Sequence, residues 1–200
     1  MHLRAPAIIL SARSHGETAV IARMLTEEAG LVAAYIAGGR GRNLRPVVIP
    51  GNLVAADIRA KSDSQLPFAR LELVTSRAPW LAEPLPAAAI GWATALTATA
   101  LPERNPYASL WSALDALLTA VCHSASARDW VRALVSYEAL LLREMGYGGA
   151  MPPAEAPLDT LLELLARNAP LLERYILAGQ RGDVMAARAL LSARLERMQA

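Results

Sequence analysis

Residues 37–46 read AGGRGRNLRP. Arg40, Arg42 and Arg45 fall within six positions, and glycines stand at 38, 39 and 41. The nearest carboxylates are Glu28 before the stretch and Asp57 after it. Arginine forks match the geometry of phosphate oxygens, and glycine lets a backbone come close to a phosphate. Three chemistries fit such a stretch: the phosphate loop of a nucleotide enzyme, a nucleic-acid contact, or a solvated turn. The first fails on spacing. A P-loop ends in GK[ST], which supplies a lysine and a magnesium-binding hydroxyl, and this stretch has neither; nor is it G-x-G-x-x-G.

Other titratable groups add no reaction centre. His15 stands beside Glu17 in SHGE, and a His/carboxylate pair can move protons. Both lie in a predicted turn without a nucleophile motif near them, which reads as a solvated turn. His2 lies at the terminus and His123 at a helix end, where a cationic imidazole suits the dipole. Three dispersed histidines and the single Cys122 give no spaced ligand set for zinc. An enzyme using GGRG as an anion nest would still lack a base, a nucleophile or a metal cluster. The expectation is a non-enzyme without a cofactor or small-molecule substrate.

The charge balance is uneven along the chain. Residues 1–79 hold ten Lys+Arg against six Asp+Glu, a net of +4, and residues 80–200 hold ten against twelve, a net of −2. Nineteen of the twenty cations are arginine. They are spread over the whole length, as a GC-rich genome would also produce. One cysteine allows no internal disulfide, which suits a reducing compartment. The longest uncharged stretch, 84–102, is mostly alanine and threonine with proline at both ends, which suits a buried helix rather than a membrane span. The expected location is the cytoplasm, with no membrane partner.

These residues need elements to position them. Before residue 79, apolar runs are short and broken by turn signals: Ala7–Ala12, Thr18–Leu25, Leu31–Ala37, Val47–Ile49, Leu53–Ala60 and Phe68–Val74. Such a series predicts a small β-barrel or sandwich. Thr18–Glu28 would also suit a helix by composition. After Pro79 the spacing becomes helical. A helix is expected over 87–100 with Pro86 at its first position. Asn105–Pro106 reads as an N-cap and N1 pair opening the next. Ser126–Asp129 resembles a capping box, and the helix it opens ends at Gly146. Leu158–Ala166, Leu171–Leu177 and Val184–Met198 complete five or six helices. The reading is a basic β-rich module over 1–79 and an acidic helical module over 80–200.

A basic β-barrel can bind single strands through phosphate contacts and aromatic platforms. Arg40, Arg42 and Arg45 are the first candidates, joined by Arg13, Arg59, Lys61 and Arg70 if the barrel folds them onto one face. Tyr35 lies in an apolar run and Phe68 follows a proline, so both read as interior side chains. Phosphate contact is therefore expected to dominate over stacking, and such contact is largely blind to base sequence. On charge alone the loop reads first as a solvated turn.

The run AIILSARSHGETAVIARMLTEEAGLVAAYIAGGRG resembles the opening of RecO, a bacterial recombination-mediator and DNA-repair family. The matching residues are Gly16–Glu17, Thr26–Glu27, Gly30 and Gly38–Arg40. YEALLLREMGYG at 137–148 and the pattern LLERYILAG…MAARALL at 171–191 resemble the family's later helices. The resemblance implies an α+β chain of two domains, an N-terminal OB-fold barrel followed by an all-α helical domain. It implies binding of single- and double-stranded DNA, strand annealing, and work with RecR and single-stranded DNA-binding protein in loading RecA. Many members carry a four-cysteine zinc site, whereas this chain has only Cys122 and a short loop at 149–157, so no zinc is expected. His15 replaces a common first-turn aromatic, and VVIPGNLV follows the family pattern loosely. The rival reading is a protein-interaction adaptor whose OB-fold binds no DNA.

Overall fold

Five of the six apolar runs in the first half fold as strands: β1 (His2–His15), β2 (Ala19–Thr26), β3 (Gly30–Ile36), β4 (Leu53–Arg59) and β5 (Phe68–Thr75). In the computed structural model, which describes residues 2–62, 65–178 and 183–198, they form a closed barrel in the order β1-β2-β3-β5-β4. β1 serves two neighbours. Its Ala7–His15 portion pairs with β2 and its His2–Ile8 portion pairs with β4, the two overlapping at Ala7 and Ile8, and a register shift between Ile9 and Ser11 interrupts the β1–β2 ladder. β3 and β5 meet in parallel at Tyr35 and Phe68, where the Tyr35 N–H donates to the Pro67 carbonyl at 2.7 Å. This five-stranded arrangement is the OB-fold. The ambiguous run at 18–28 is a strand because both its edges find partners, and tertiary pairing outweighs the helix propensity of alanine and methionine.

The barrel interior follows the two-residue period of strands. Ala7, Ile9, Ala22, Met24, Val32, Ala34, Val54, Ala56, Ile58 and Leu71 all point into one buried cluster. Val47–Ile49 does not form the strand expected of it. Residues 42–48 turn back on themselves, with Val47 and Val48 N–H groups donating to the Leu44 carbonyl, and both valines insert into the barrel cluster. Their apolarity serves a plug rather than a sheet.

The chain divides into two compact units, Met1–Ala82 with Leu101–Trp111, and Glu83–Ala100 with Ser112–Ala200. In the first unit, Glu103 bridges Leu31 of β3 and the Arg104 N–H donates to the Leu31 carbonyl at 2.9 Å. Asn105 therefore does not cap a helix. Its backbone carbonyl sits against Gly30, its side chain donates to the Tyr107 hydroxyl at 3.0 Å, and the helix starts three residues later. Gly30 has φ +66°, and a Cβ there would overlap the Asn105 carbonyl oxygen.

The helices are α1 (Pro84–Ala100), α2 (Ala108–His123), α3 (Ala127–Glu144), α4 (Leu158–Leu171) and α5 (Asp183–Glu196). The capping box forms as expected: the Ser126 hydroxyl accepts from the Arg128 N–H at 3.1 Å, and the Asp129 carboxylate accepts from the Ser126 N–H at 3.0 Å. Gly146, at φ +84°, follows the C-cap of α3. The helices expected at 158–166 and 171–177 are one helical run. Pro170 lacks the N–H that would continue the α ladder, and the chain widens into a π turn over Leu172–Ile176.

At the centre of the helical unit lies a fully buried carboxylate. Glu138 of α3 receives Arg188 of α5 in a two-pronged pair at 3.0 and 2.8 Å, the Trp92 indole N–H of α1 at 2.9 Å and the Asn168 amide of α4 at 3.3 Å. Burying a charge costs several kcal/mol unless such partners surround it. Beside it, the Tyr137 hydroxyl meets Thr97 at 2.5 Å, and burial pushes the phenol well above its ordinary pKa.

Two substitutions test these supports. Gly30→Ala should destabilise the chain by about 2 kcal/mol or more, through the positive φ and the carbonyl overlap. Arg188→Met should cost about 3–5 kcal/mol by leaving Glu138 buried and unpaired, and adding Glu138→Leu should recover much of that loss. Urea unfolding of the full chain reads both.

Candidate nucleic-acid interface

Strand parity decides which side chains reach the barrel surface. With Val54, Ala56 and Ile58 inside, Asp57 and Arg59 point outward. The register pairs Asp57 with Arg4 and Arg70, and pairs Arg59 with His2 and Phe68. Three strands thus bring His2, Arg4, Asp57, Arg59, Phe68 and Arg70 onto one outer face.

Asp57 organises this face. Its carboxylate accepts from Arg59 through two bonds at 2.8 Å each, from Arg4 at 3.0 Å, and lies 3.2 Å from the His2 ring. Hydrogen bonding to Arg59 holds the carboxyl well below the usual carboxylate range; partial desolvation opposes this and Arg4 reinforces it. Asp57 in turn raises the Arg59 pKa, so the guanidinium stays charged. The two-pronged Arg59 contact, joined by a single bond from Arg4, is the kind of pairing that guanidinium groups also make with phosphate.

Of the sequence candidates, Arg59 and Arg70 come together on this face, and Lys61 lies just beyond β4, lining a hollow with Arg59 and Phe68. Arg13 is exposed on the other arm of β1, opposite Ile21 of β2. Arg40 leans onto the β1–β2 turn, donating to the carbonyls of Glu17 at 3.0 Å and Gly16 at 3.4 Å. Arg42 and Arg45 are exposed on the loop.

That loop is built rather than slack. The Arg40 N–H donates to the Thr18 carbonyl at 2.9 Å and the Arg45 N–H to the Gly41 carbonyl at 2.9 Å. Gly39 packs so tightly on Val20 that a Cβ would clash with that side chain. The loop's far end is held by Asn52, whose buried amide donates to the carbonyls of Pro46 and Val47 and accepts the Arg77 N–H at 2.8 Å. Arg77, one of the ten cations of the first half, is buried and donates to the Gly51 carbonyl at 2.6 Å, so it serves the scaffold.

The interior reading of the aromatics is corrected. Phe68 is 63% exposed and Tyr35 faces outward, half-buried. Their rings meet at 5.2 Å, and His15 meets Tyr35 at 5.9 Å. The parity of β5 carries the signal: Phe68 shares its side with Arg70 and Glu72, opposite Ala69 and Leu71. His2, Arg4 and Asp57 were also missed, because the barrel closure that unites β1 with β4 has no local sequence mark.

Among the described residues, no three His, Cys, Asp or Glu side chains gather as a metal site. No helix among them is long and apolar enough to cross a membrane. Asp57→Asn removes the anion among three basic side chains. It should tighten binding of a polyanion by about fivefold at low salt, an advantage that fades as salt rises. Heparin-column elution and strand titrations check this.

Comparison with known proteins agrees with the architecture. The family described as recombination protein O N terminal matches residues 1–77, and recombination protein O C terminal matches residues 84–150. Relatives named DNA repair protein RecO include one from Phenylobacterium zucineum, 38% identical over 149 residues, covering 74% of this chain and 60% of that protein. One from Rhodospirillum centenum is 43% identical over 143 residues, covering 71% and 56%. One from Caulobacter sp. strain K31 is 34% identical over 177 residues, covering 87% and 71%. The match thus spans less than two thirds of the first two relatives' own length. With matches to both halves in the same order as its barrel and helices, the chain belongs to the RecO family.

Proposed function

We propose that this chain is a non-enzymatic DNA-repair and recombination mediator that binds single- and double-stranded DNA and promotes strand annealing. The observation that carries the reading is the convergence of Arg4, Arg59 and Arg70 on one outer face of an OB-fold barrel, in a chain whose relatives are named for DNA repair. The mechanism is electrostatic. Cations on the barrel neutralise phosphates on two strands, lower their mutual repulsion and let complementary bases meet. The glycine-supported loop bearing Arg40, Arg42 and Arg45 extends the contact, and Arg13 and Lys61 widen it.

In this reading residues 1–79 are the DNA-binding half. The acidic residues 80–200 are the half that docks proteins, with RecR and single-stranded DNA-binding protein as partners in assisting RecA loading at the nucleoid. No cofactor enters the mechanism. The rival, an adaptor whose barrel binds no DNA, draws on Asp57, which already satisfies Arg4 and Arg59.

A salt titration separates the two. If Arg40, Arg42 and Arg45 each touch one phosphate, replacing all three by alanine should flatten the log–log salt slope on single strands by about 2. An unchanged slope removes the loop from the interface. Absence of strand binding at low salt in the unaltered chain favours the adaptor.

A further inference from the structure

We infer that Tyr35 and Phe68 form a stacking platform for unpaired nucleobases, which makes the barrel face selective for single strands. The inference rests on the DNA-binding reading above and adds to it the part of the nucleic acid that is recognised. Phosphate contacts alone do not distinguish one base from none.

The exposure of Phe68 carries the argument. A phenylalanine in a barrel strand gains its stability by burial, yet this residue is 63% exposed. Nor is it isolated. The Tyr35 ring meets it at 5.2 Å with a 65° tilt, and His15 meets Tyr35 at 5.9 Å, edge-on, so three rings run across the mouth of β1, β3 and β5. The rung that closes the barrel fixes the pair, since Tyr35 and Phe68 are direct partners in the β3–β5 register.

Cations flank the rings. Arg59 stands opposite Phe68 across the β4–β5 ladder, and Arg70 is two residues further along the same outward side. Phe68 lines one hollow with Tyr35, Arg59 and Arg70, and a second with Arg59 and Lys61. An apolar ring bordered by guanidinium groups is complementary to a nucleotide, which carries a π-face and a phosphate a few ångströms apart. Bases in a duplex have their faces covered by neighbours, so only unpaired bases can use the platform. Arg70 and Lys61 add positive charge around the ring beyond what Asp57 offsets at Arg59, which favours a ligand that brings anions along with a flat face.

The test compares two labelled strands of equal length, oligo-dT and a fully abasic strand with the same phosphates, bound by the full chain at low salt. The unaltered protein should bind oligo-dT more tightly than the abasic strand. Phe68→Ala should weaken oligo-dT binding by about tenfold, within the range reported for base–aromatic stacking, and change abasic binding little. Phe68→Trp should restore the difference. The ring is exposed, so Phe68→Ala should unfold at the same urea concentration as the parent. Equal binding of both strands by the unaltered protein overturns the platform while keeping the phosphate interface. Equal loss on both strands with Phe68→Ala, or no loss on either, overturns it as well. Failure of the unaltered protein to bind either strand overturns the DNA-binding reading itself, and the platform with it.

Discussion

The barrel depends on one strand being long enough to serve two neighbours. β1 pairs with β4 over His2–Ile8 and with β2 over Ala7–His15, so both of its edges are engaged at Ala7 and Ile8. The ring closes where β3 meets β5 at Tyr35 and Phe68. Closure also fixes parity around the whole circumference. Once Ala7 and Ile9 point inward, the register determines that Arg4 stands outside beside Asp57, and that Arg59 stands outside beside Phe68. The surface charge pattern is a consequence of the core.

That coupling explains what could be read from the sequence and what could not. Strands appeared as apolar runs because burial on one face imposes a two-residue period over short lengths. The capping box of α3 was legible because its bonds span only residues 126–129. Val47 and Val48 misled because a barrel end needs apolar side chains as much as a sheet does, and composition does not distinguish them. Asn105 misled because a cap residue can be claimed by a tertiary contact, here the turn at Gly30. The basic loop announced itself by local density. The Asp57 face did not, since His2 and Arg4 precede Asp57 by more than fifty residues and meet it only on closure.

The two units manage charge by opposite means. On the barrel, Asp57 sits near the surface among arginines, where water and ions can replace any partner and each pair contributes little to stability. In the helical unit, Glu138 is sealed from solvent and its partners are obligatory. The first arrangement suits a surface that exchanges partners, because an incoming anion can substitute for the resident carboxylate. The second suits a scaffold.

The Glu138 cluster also bears on biosynthesis. Its four contributors arise in the order Trp92, Glu138, Asn168 and Arg188, so the countercharge is translated last. A ribosome adding residues from the N-terminus delivers the carboxylate some fifty positions before the guanidinium that offsets it. Until α5 emerges, packing α1 against α3 would bury an unmatched charge, so the nascent helices have reason to stay loosely associated. The barrel unit has all its segments once residue 111 has emerged. The order of the chain therefore favours a β-barrel that matures during synthesis and a helix bundle that locks only when its last helix arrives.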